Sequence, residues 1–379
     1  MIKTSQITSI FRHFQLVAAL TFSLVLTTLN TPAEALTFTS PEVAFLNSQM
    51  TANQNDNSIL NSYQGTSSQY TYDYALAIIV FSHAKEKQLA RRLLIALKKQ
   101  QSLDGSWPFK LNETSKISGA IAWAVLAANT YQKHFKSTEF EPMALKALRY
   151  LKQNISQQQP YAVRFSNTSD IISIEHQIDT LAALDSLDLK HQSEFSSLRK
   201  NILKTLKNHW VGYRFLAGSD SKTEIKNKSD MYEDVNSWSY LVLSHLQDAE
   251  FGFIQDLDQG LQFNCTKFLR TVTKANQTYT GFLESNHHLQ TQKTDFIWLE
   301  GTYGMISALQ LWEKNHNQAS DCSGLTARDL ELQLSSIQNA DGGVPYATVA
   351  IDQQFSNLPS VASTAWLYFV KNKINPFLP

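Results

Sequence analysis

Residues 72–97 read YDYALAIIVFSHAKEKQLARRLLIAL. In the first half, Tyr74, Leu76, Ala77, Ile78, Val80 and Phe81 spread apolar side chains around most of a helix. In the second half, Leu89, Leu93, Leu94 and Leu97 fall on one face and leave Lys and Arg for the other. A helix that is apolar all round has to be covered on every side, whereas an amphipathic one shows a face to water. The stretch is therefore a helical hairpin with one buried and one wetted member.

The same two-beat pattern recurs at 117–135 with 142–154, 172–187 with 194–210, 234–246 with 257–272, and 296–312 with 325–337. A last apolar helix over 361–371 closes the chain. The apolar helices start near 72, 117, 172, 234, 296 and 361, a step of about 45 to 65 residues. Six such units predict an all-α fold, an (α/α)6 toroid with an inner ring of buried helices inside an outer ring of amphipathic ones. It is expected as a single domain over 71–379. A flat solenoid of helix pairs is the rival, and these repeats are too unequal in length for it. The composition agrees: 13 Gly and 9 Pro in 379 residues argue against turn-dense β folds and Pro/Gly-rich disorder. With 43% hydrophobic and 11% aromatic residues the chain can bury a large core. Lys+Arg and Asp+Glu balance at 33 each and form no basic block, so nucleic acid is not an expected partner.

At the N-terminus, Lys3 and Arg12 precede an apolar run over 16–29 and the small-x-small triplet Ala33-Glu34-Ala35. This is the layout of a signal peptide, read as residues 1–35 with cleavage after Ala35. The run is shorter than a bilayer span, so no stable membrane span is expected after cleavage; an uncleaved anchor is the alternative. Residues 36–70, rich in Ser, Thr, Asn and Gln, read as a partly ordered lead-in. The expected location is periplasmic or secreted. Cys265 and Cys322 either form one bond or stand as separate buried thiols, and with no zinc-like Cys/His spacing neither a metal nor another cofactor is expected.

Acids recur at the starts of the inner helices: Asp73, Glu175 with Asp179, Asp234, and Glu300. In a toroid these starts share one end, so the carboxylates would gather at one mouth. Capping of the helix dipole competes as an explanation, above all for Asp73 and Asp234. Glu300 follows Ile297-Trp298-Leu299 and stands beside Gly301, which reads as a position one turn inside an apolar helix. A carboxyl there would have its pKa raised, as a general acid needs. Glu175 and Asp179, four apart, share a face and have His176 beside them. The reading is Glu300 as acid, Glu175 or Asp179 as base, Asp73 and Asp234 as hydroxyl ligands, and His176 as the group orienting an acid.

Trp107, Trp123, Trp238, Trp298, Tyr346 and Trp366 lie in the inner helices or the loops feeding them, where aromatic rings can stack on sugar faces; core packing accounts for about half of the tryptophans without a ligand. Two turns read as a structural pair, QSLDGSWPF over 101–109 and QNADGGVPY over 338–346, each turning on Asp-Gly and returning with an aromatic.

With these segments placed, the chain resembles the six-hairpin glycosidase-like superfamily of (α/α)6 toroids, and within it a bacterial secreted or periplasmic group of sugar-active proteins. The resemblance runs from about Tyr72 to Phe377 and rests on residues 72–77, 101–107, 173–179, 234–238, 298–302 and 360–366 with the terminal Asn375-Pro376-Phe377. Gln177 stands where the pattern has Asn, and Ile172 where it has a second hydroxyl residue. The resemblance implies saccharide binding at one end of the barrel and hydrolysis by two carboxylates. The expected function is an exported glycoside hydrolase-like protein acting on an oligo- or polysaccharide. The alternatives are a non-catalytic saccharide-binding or scaffolding protein of a polysaccharide export system, and a lyase or epimerase with His176 or Tyr72 as base. The turn at 101–107 is also similar to repeats of squalene-cyclase and prenyltransferase toroids, whose Asp-x-Asp-Asp motif has no match here; Asp256-Leu257-Asp258-Gln259 lacks the last acid.

Overall fold

The computed structural model describes residues 40–52, 58–159, 161–169, 171–220, 222–223, 226–246, 256–274, 276–351 and 355–379. The signal-peptide reading of 1–35 lies outside the described residues.

The described chain opens with α1 (Pro41–Ser48) and continues as inner and outer helices in alternation. The pairs are α2 (Thr71–His83) with α3 (Lys87–Gln100), α4 (Ser118–Phe135) with α5 (Glu141–Gln153), and α6 (Ile174–Asp185) with α7 (Leu189–His209). They continue with α8 (Glu233–Leu243) and α9 (Asp258–Lys267), a short α10 (Asn286–Gln290), α11 (Leu299–His316) with α12 (Ala327–Gln333), and α13 (Val361–Asn372). Helix α2 packs on α4, α4 on α6, α6 on α8, α8 on α11, α11 on α13, and α13 back on α2, which closes a six-membered inner ring. From Tyr74 to Phe81 every side chain of α2 is fully buried, as its unbroken apolar run requires.

Within the stretch read as a lead-in, α1 supplies the sixth outer helix by packing on α13. Its Glu42 is buried, and burial alone would raise the carboxyl; hydrogen bonds from Lys371, Ser40 and Gln338 hold it below the usual value. Strands β1 (Met50–Ala52) and β2 (Ser58–Leu60) then form a small antiparallel hairpin.

Short extended segments lead into the inner helices. The first backbone N–H of each inner helix is donated to a carbonyl of a neighbouring loop. The pairs are Thr71 to Phe109, Ser118 to Phe165, Ile174 to Ala217, Glu233 to Glu284, Leu299 to Tyr346 and Val361 to Ser62, all between 2.8 and 3.1 Å. Each satisfies a donor that a helix start otherwise leaves open, at about 1 kcal/mol apiece, and together they hold the six starts at one end of the ring.

Two boundaries differ from the sequence reading. The helix expected over 257–272 stops at Lys267; Leu269–Lys274 instead forms β6, paired with β7 (Gln277–Phe282), where the β-branched Thr271 and Thr273 meet Thr280 and Thr278. The helix expected from Phe296 starts at Leu299, because Ile297 N–H binds Thr348 Oγ1 and Trp298 bridges to Ala347. Likewise Ile171–Ser173 is not helix but the edge of a three-stranded sheet with Gly218–Asp220 and Lys226–Asn227. Cys265 and Cys322 are bonded, which ties α9 to the loop ahead of α12.

The paired turns are superposable in their bonding. Gln101 Nε2 donates to the Gly105 carbonyl and Gln338 Nε2 to that of Gly342; Asp104 accepts from Ser106 N–H and Asp341 from Gly343 N–H. Gly105 and Gly342 both have positive φ, 98° and 92°. A Cβ at Gly105 would lie 2.3 Å from the Lys146 carbonyl oxygen, and one at Gly342 would lie 2.0 Å from that of Pro41. The structural reading of these turns is what the bonding displays.

Candidate functional site

The six helix starts fix which side chains meet on the axis. The second residues of the inner helices are Tyr72, Gly119, Glu175, Asp234, Glu300 and Ala362. One turn on, at i+4 and hence on the same face, come Leu76, Trp123, Asp179, Trp238, Gly304 and Trp366. The first five of the upper layer, with Trp123, Asp179 and Trp238 of the lower, line a cavity of about 290 Å³. His176, Glu284, Trp298 and Tyr346 also stand in its wall, beside apolar residues such as Phe109 and Phe355.

Glu300 is thus the second residue of α11 rather than a residue one turn in, yet it is buried. Burial pushes its carboxyl up to about 8 against the opposing hydrogen bond from Tyr72. Trp366 Nε1 donates to Tyr72 Oη at 3.0 Å, and Tyr72 Oη donates to Glu300 Oε1 at 2.7 Å. Tyr72 thus engages Oε1, and the raised pKa favours the protonated form of Glu300 at neutral pH.

Asp234 is buried and pushed up to about 8 by that burial and by the nearby carboxylates of Glu284 and Glu300. Glu175 reaches the lumen and is only half-buried, but protein surrounds it; burial first, and then Asp234, Asp179 and Glu300, raise its carboxyl well above the usual range. Asp179 is raised by burial and by Asp234. The Trp123 indole lies near enough to Asp179 to oppose this shift but outside hydrogen-bonding geometry. His176 is held down to about 4 by burial and stacks on Phe165, with centroids 4.6 Å apart, so it is neutral at physiological pH. Gly119 makes room for both: a Cβ there would be 2.6 Å from the His176 ring and 2.7 Å from Asp179 Oδ2. Gly301 and Gly304 act alike, admitting the Trp298 ring and Trp238 Nε1 to 2.2 and 2.8 Å of where a Cβ would be.

Several buried polar atoms of the wall have no hydrogen-bond partner: Nε1 of Trp123, Trp238 and Trp298, both oxygens of Asp179, Asp234 Oδ1 and His176 Nδ1. Three indole donors and several carboxylate acceptors around one space form a complementary lining for a ligand rich in hydroxyls. Among the described residues no group of His, Cys, Asp and Glu is placed to hold a metal ion.

Three residues singled out in the sequence stand apart from the wall. Asp73 is the third residue of α2, off the axial face; it is buried, and burial pushes it up to about 7 against a lowering by the nearby Ser62 hydroxyl. Trp107 is fully buried in one of the Asp-Gly turns and donates Nε1 to the Leu97 carbonyl at 2.7 Å, so its role is in the core. Trp366 lies behind the lining, stacked on Trp238 with centroids 5.5 Å apart. Gln177, at the position departing from the expected pattern, clamps the backbone of Val163 through both ends of its amide. Glu284 went unnoticed in the sequence. It follows β7 rather than opening a helix, at the loop position that carries Phe109, Phe165 and Tyr346 in other repeats, and its Oε2 lies 3.4 Å from His288 Nε2.

No protein-family model and no curated protein matches this chain. Solved structures do. A D-mannose isomerase aligns at a TM-score of 0.64 and 11% identity over 88% of this chain and 95% of its own. A cellobiose 2-epimerase from Bacillus thermoamylovorans aligns at 0.64 and 10% over 88% and 95%. A family 76 glycoside hydrolase from a bovine Bacteroides thetaiotaomicron strain aligns at 0.62 and 8% over 87% and 75%. At such identities the likeness is one of architecture. In fold, the chain is an (α/α)6 toroid, the architecture it shares with these solved structures.

Proposed function

We propose that this protein is an exported saccharide-active enzyme that cleaves glycosidic bonds with Glu300 as general acid and Glu175 as base. The observation that carries the reading is the lining itself: buried carboxyls raised above their usual range share one cavity with three unpartnered indole N–H groups. Closely packed acids cannot all ionise, so the cluster divides into protonated and ionised members, the condition for acid and base to coexist. Glu300, its Oε1 held by Tyr72, gives its proton to the leaving oxygen. Glu175, the member open to the lumen, takes a proton from the attacking water as the C–O bond breaks. Asp234 and Asp179 accept hydrogen bonds from ring hydroxyls, and Trp123 and Trp238 supply donors and apolar surface. A Cys265–Cys322 bond suits an oxidising compartment, in keeping with the signal-peptide layout.

A second reading, sugar isomerisation or epimerisation, is favoured by His176, neutral and with Nδ1 unpartnered in the wall, and by the isomerase and epimerase among the structural neighbours. Reducing-end release from a panel of bacterial envelope glycans separates the readings. Glu300→Gln, which keeps Oε1 for Tyr72, is expected to lower turnover by about 10²- to 10⁴-fold with binding retained. Tyr72→Phe should lower turnover by about tenfold and move the alkaline limb of the pH–rate profile, set by loss of the Glu300 proton, to higher pH. Glycans that bind uncut would make the protein a binding module. A product absorbing in the ultraviolet would make it a lyase, and isomerised sugar without cleavage would favour the second reading.

A further inference from the structure

A second cavity, of about 480 Å³, adjoins the first along the three-stranded sheet of β3 (Ile171–Ser173), β4 (Gly218–Asp220) and β5 (Lys226–Asn227). Glu175, Asp234 and Glu284 line both cavities, whereas Glu300 and Asp179 face only the inner one. The three shared carboxylates therefore stand at a threshold between two compartments.

The inner compartment is blind. Phe377, from the C-terminal tail, sits against Trp123, Trp238 and Trp366 with ring centroids 4.7, 5.9 and 6.2 Å away. The tail is pinned there by Asn375 Nδ2, which donates to the Leu241 carbonyl at 2.7 Å. No chain can thread the ring past this floor. The outer compartment is larger and its wall is mixed: Ile171, 55% exposed on the edge strand, stands with Phe165 and Tyr232 as apolar surface beside Ser219 and Asp230. Apolar faces set among hydroxyl and carboxylate groups match the alternating surface of successive sugar rings.

We infer that the ligand of this mouth is a saccharide chain of several units bound end-on, its terminus in the blind compartment and its next units over the β3–β4–β5 sheet, with the linkage between compartments lying across Glu175, Asp234 and Glu284. The inference rests on the saccharide reading above and narrows it from any sugar to a chain end. It also fixes the mode of attack: units are released from one terminus, and internal linkages are not reached.

The test is calorimetric binding to ladders of glucose, mannose and N-acetylglucosamine oligomers of one to six units, with products followed over time. Affinity is expected to rise about tenfold or more between the shortest bound sugar and the tetramer. Ala217→Trp fills the outer compartment while leaving its backbone acceptor for Ile174 N–H in place. It should bring the tetramer down to the affinity of the short sugar and leave the short sugar unchanged. Ile171→Ser, an exposed position whose replacement does not threaten the fold, should do the same to a smaller degree. Affinity independent of length, equal weakening of short and long sugars by both variants, or cleavage at internal linkages would overturn the end-on inference while leaving the saccharide reading standing. Failure of every ladder to bind would overturn both.

Discussion

The Asp-Gly turns and the mouth of the ring use the same residue types, Asp, Gly and large aromatics, to opposite ends. In the turns the polar side chains are matched: Gln101 bonds the Gly105 and Met143 carbonyls, Asp104 takes Ser106 and Lys116, and Trp107 gives its N–H to Leu97. In the mouth the acids crowd one another, and three indole donors have no partner. A buried polar group left open costs roughly 1–3 kcal/mol, so the mouth carries a debt to stability that the turns do not. Regions that hold a fold satisfy their own groups, while a region that binds keeps groups open for something else.

The largest expected consequence is a pH dependence that comes chiefly from the mouth. Asp234 and Glu300 are pushed to about 8, so between their ordinary values and that pH the folded chain holds protons that the unfolded chain has lost. Stability is therefore full near pH 4 and falls as pH rises to about 8, by an amount on the order of 4 kcal/mol once hydration of the cavity is allowed for. Urea unfolding across that range checks it. A stability that climbs with pH would mean the acids are ionised and paired, and the contrast with the turns would fail.

Next in size is a purely structural loss from the turns. Gly342→Ala places a Cβ 2.0 Å from the Pro41 carbonyl at a positive φ, and Gly105→Ala does the same against Lys146 at 2.3 Å. Each should lower unfolding free energy by about 3 kcal/mol, equally at low and high pH, with ligand affinity of the folded fraction unchanged. If either variant moved the pH dependence, turn and mouth would not be separate regions.

The fold was legible because burial writes itself into composition: an inner helix such as α2 has hardly a polar side chain between Tyr74 and Phe81, and no other environment tolerates that. The site was legible only in outline. Glu175, Asp234 and Glu300 reach the axis because each is the second residue of its helix, and Asp73, the third of its own, misses it. Where a helix begins is set by a pairing between distant segments, Leu299 with Tyr346 or Glu233 with Glu284, and local periodicity does not encode it. The same pairing brings Glu284 to the wall from outside any helix. The hairpin of β6 and β7 escaped for a similar reason, since Thr271 and Thr273 declare themselves as strand only opposite Thr280 and Thr278.

The smallest effect gives the sharpest contrast, because it is a gain. Both oxygens of Asp179 are buried without a partner, and its carboxyl is raised by burial and by Asp234. Asn has the same shape and carries no proton to lose, so Asp179→Asn should match the wild type near pH 4 and exceed it by about 1 kcal/mol at neutral pH. The excess should grow as the pH rises, because the wild type alone must keep a proton or bury a charge. Its saccharide affinity should fall, since an acceptor that a ligand hydroxyl would use is replaced in part by a donor. Thermal melts at two pH values, with and without a bound oligosaccharide, read both quantities. Stability gained in the free protein and lost from the complex is the behaviour of a group kept open for a ligand, and a loss of stability in both states would place Asp179 with the satisfied residues of the turns.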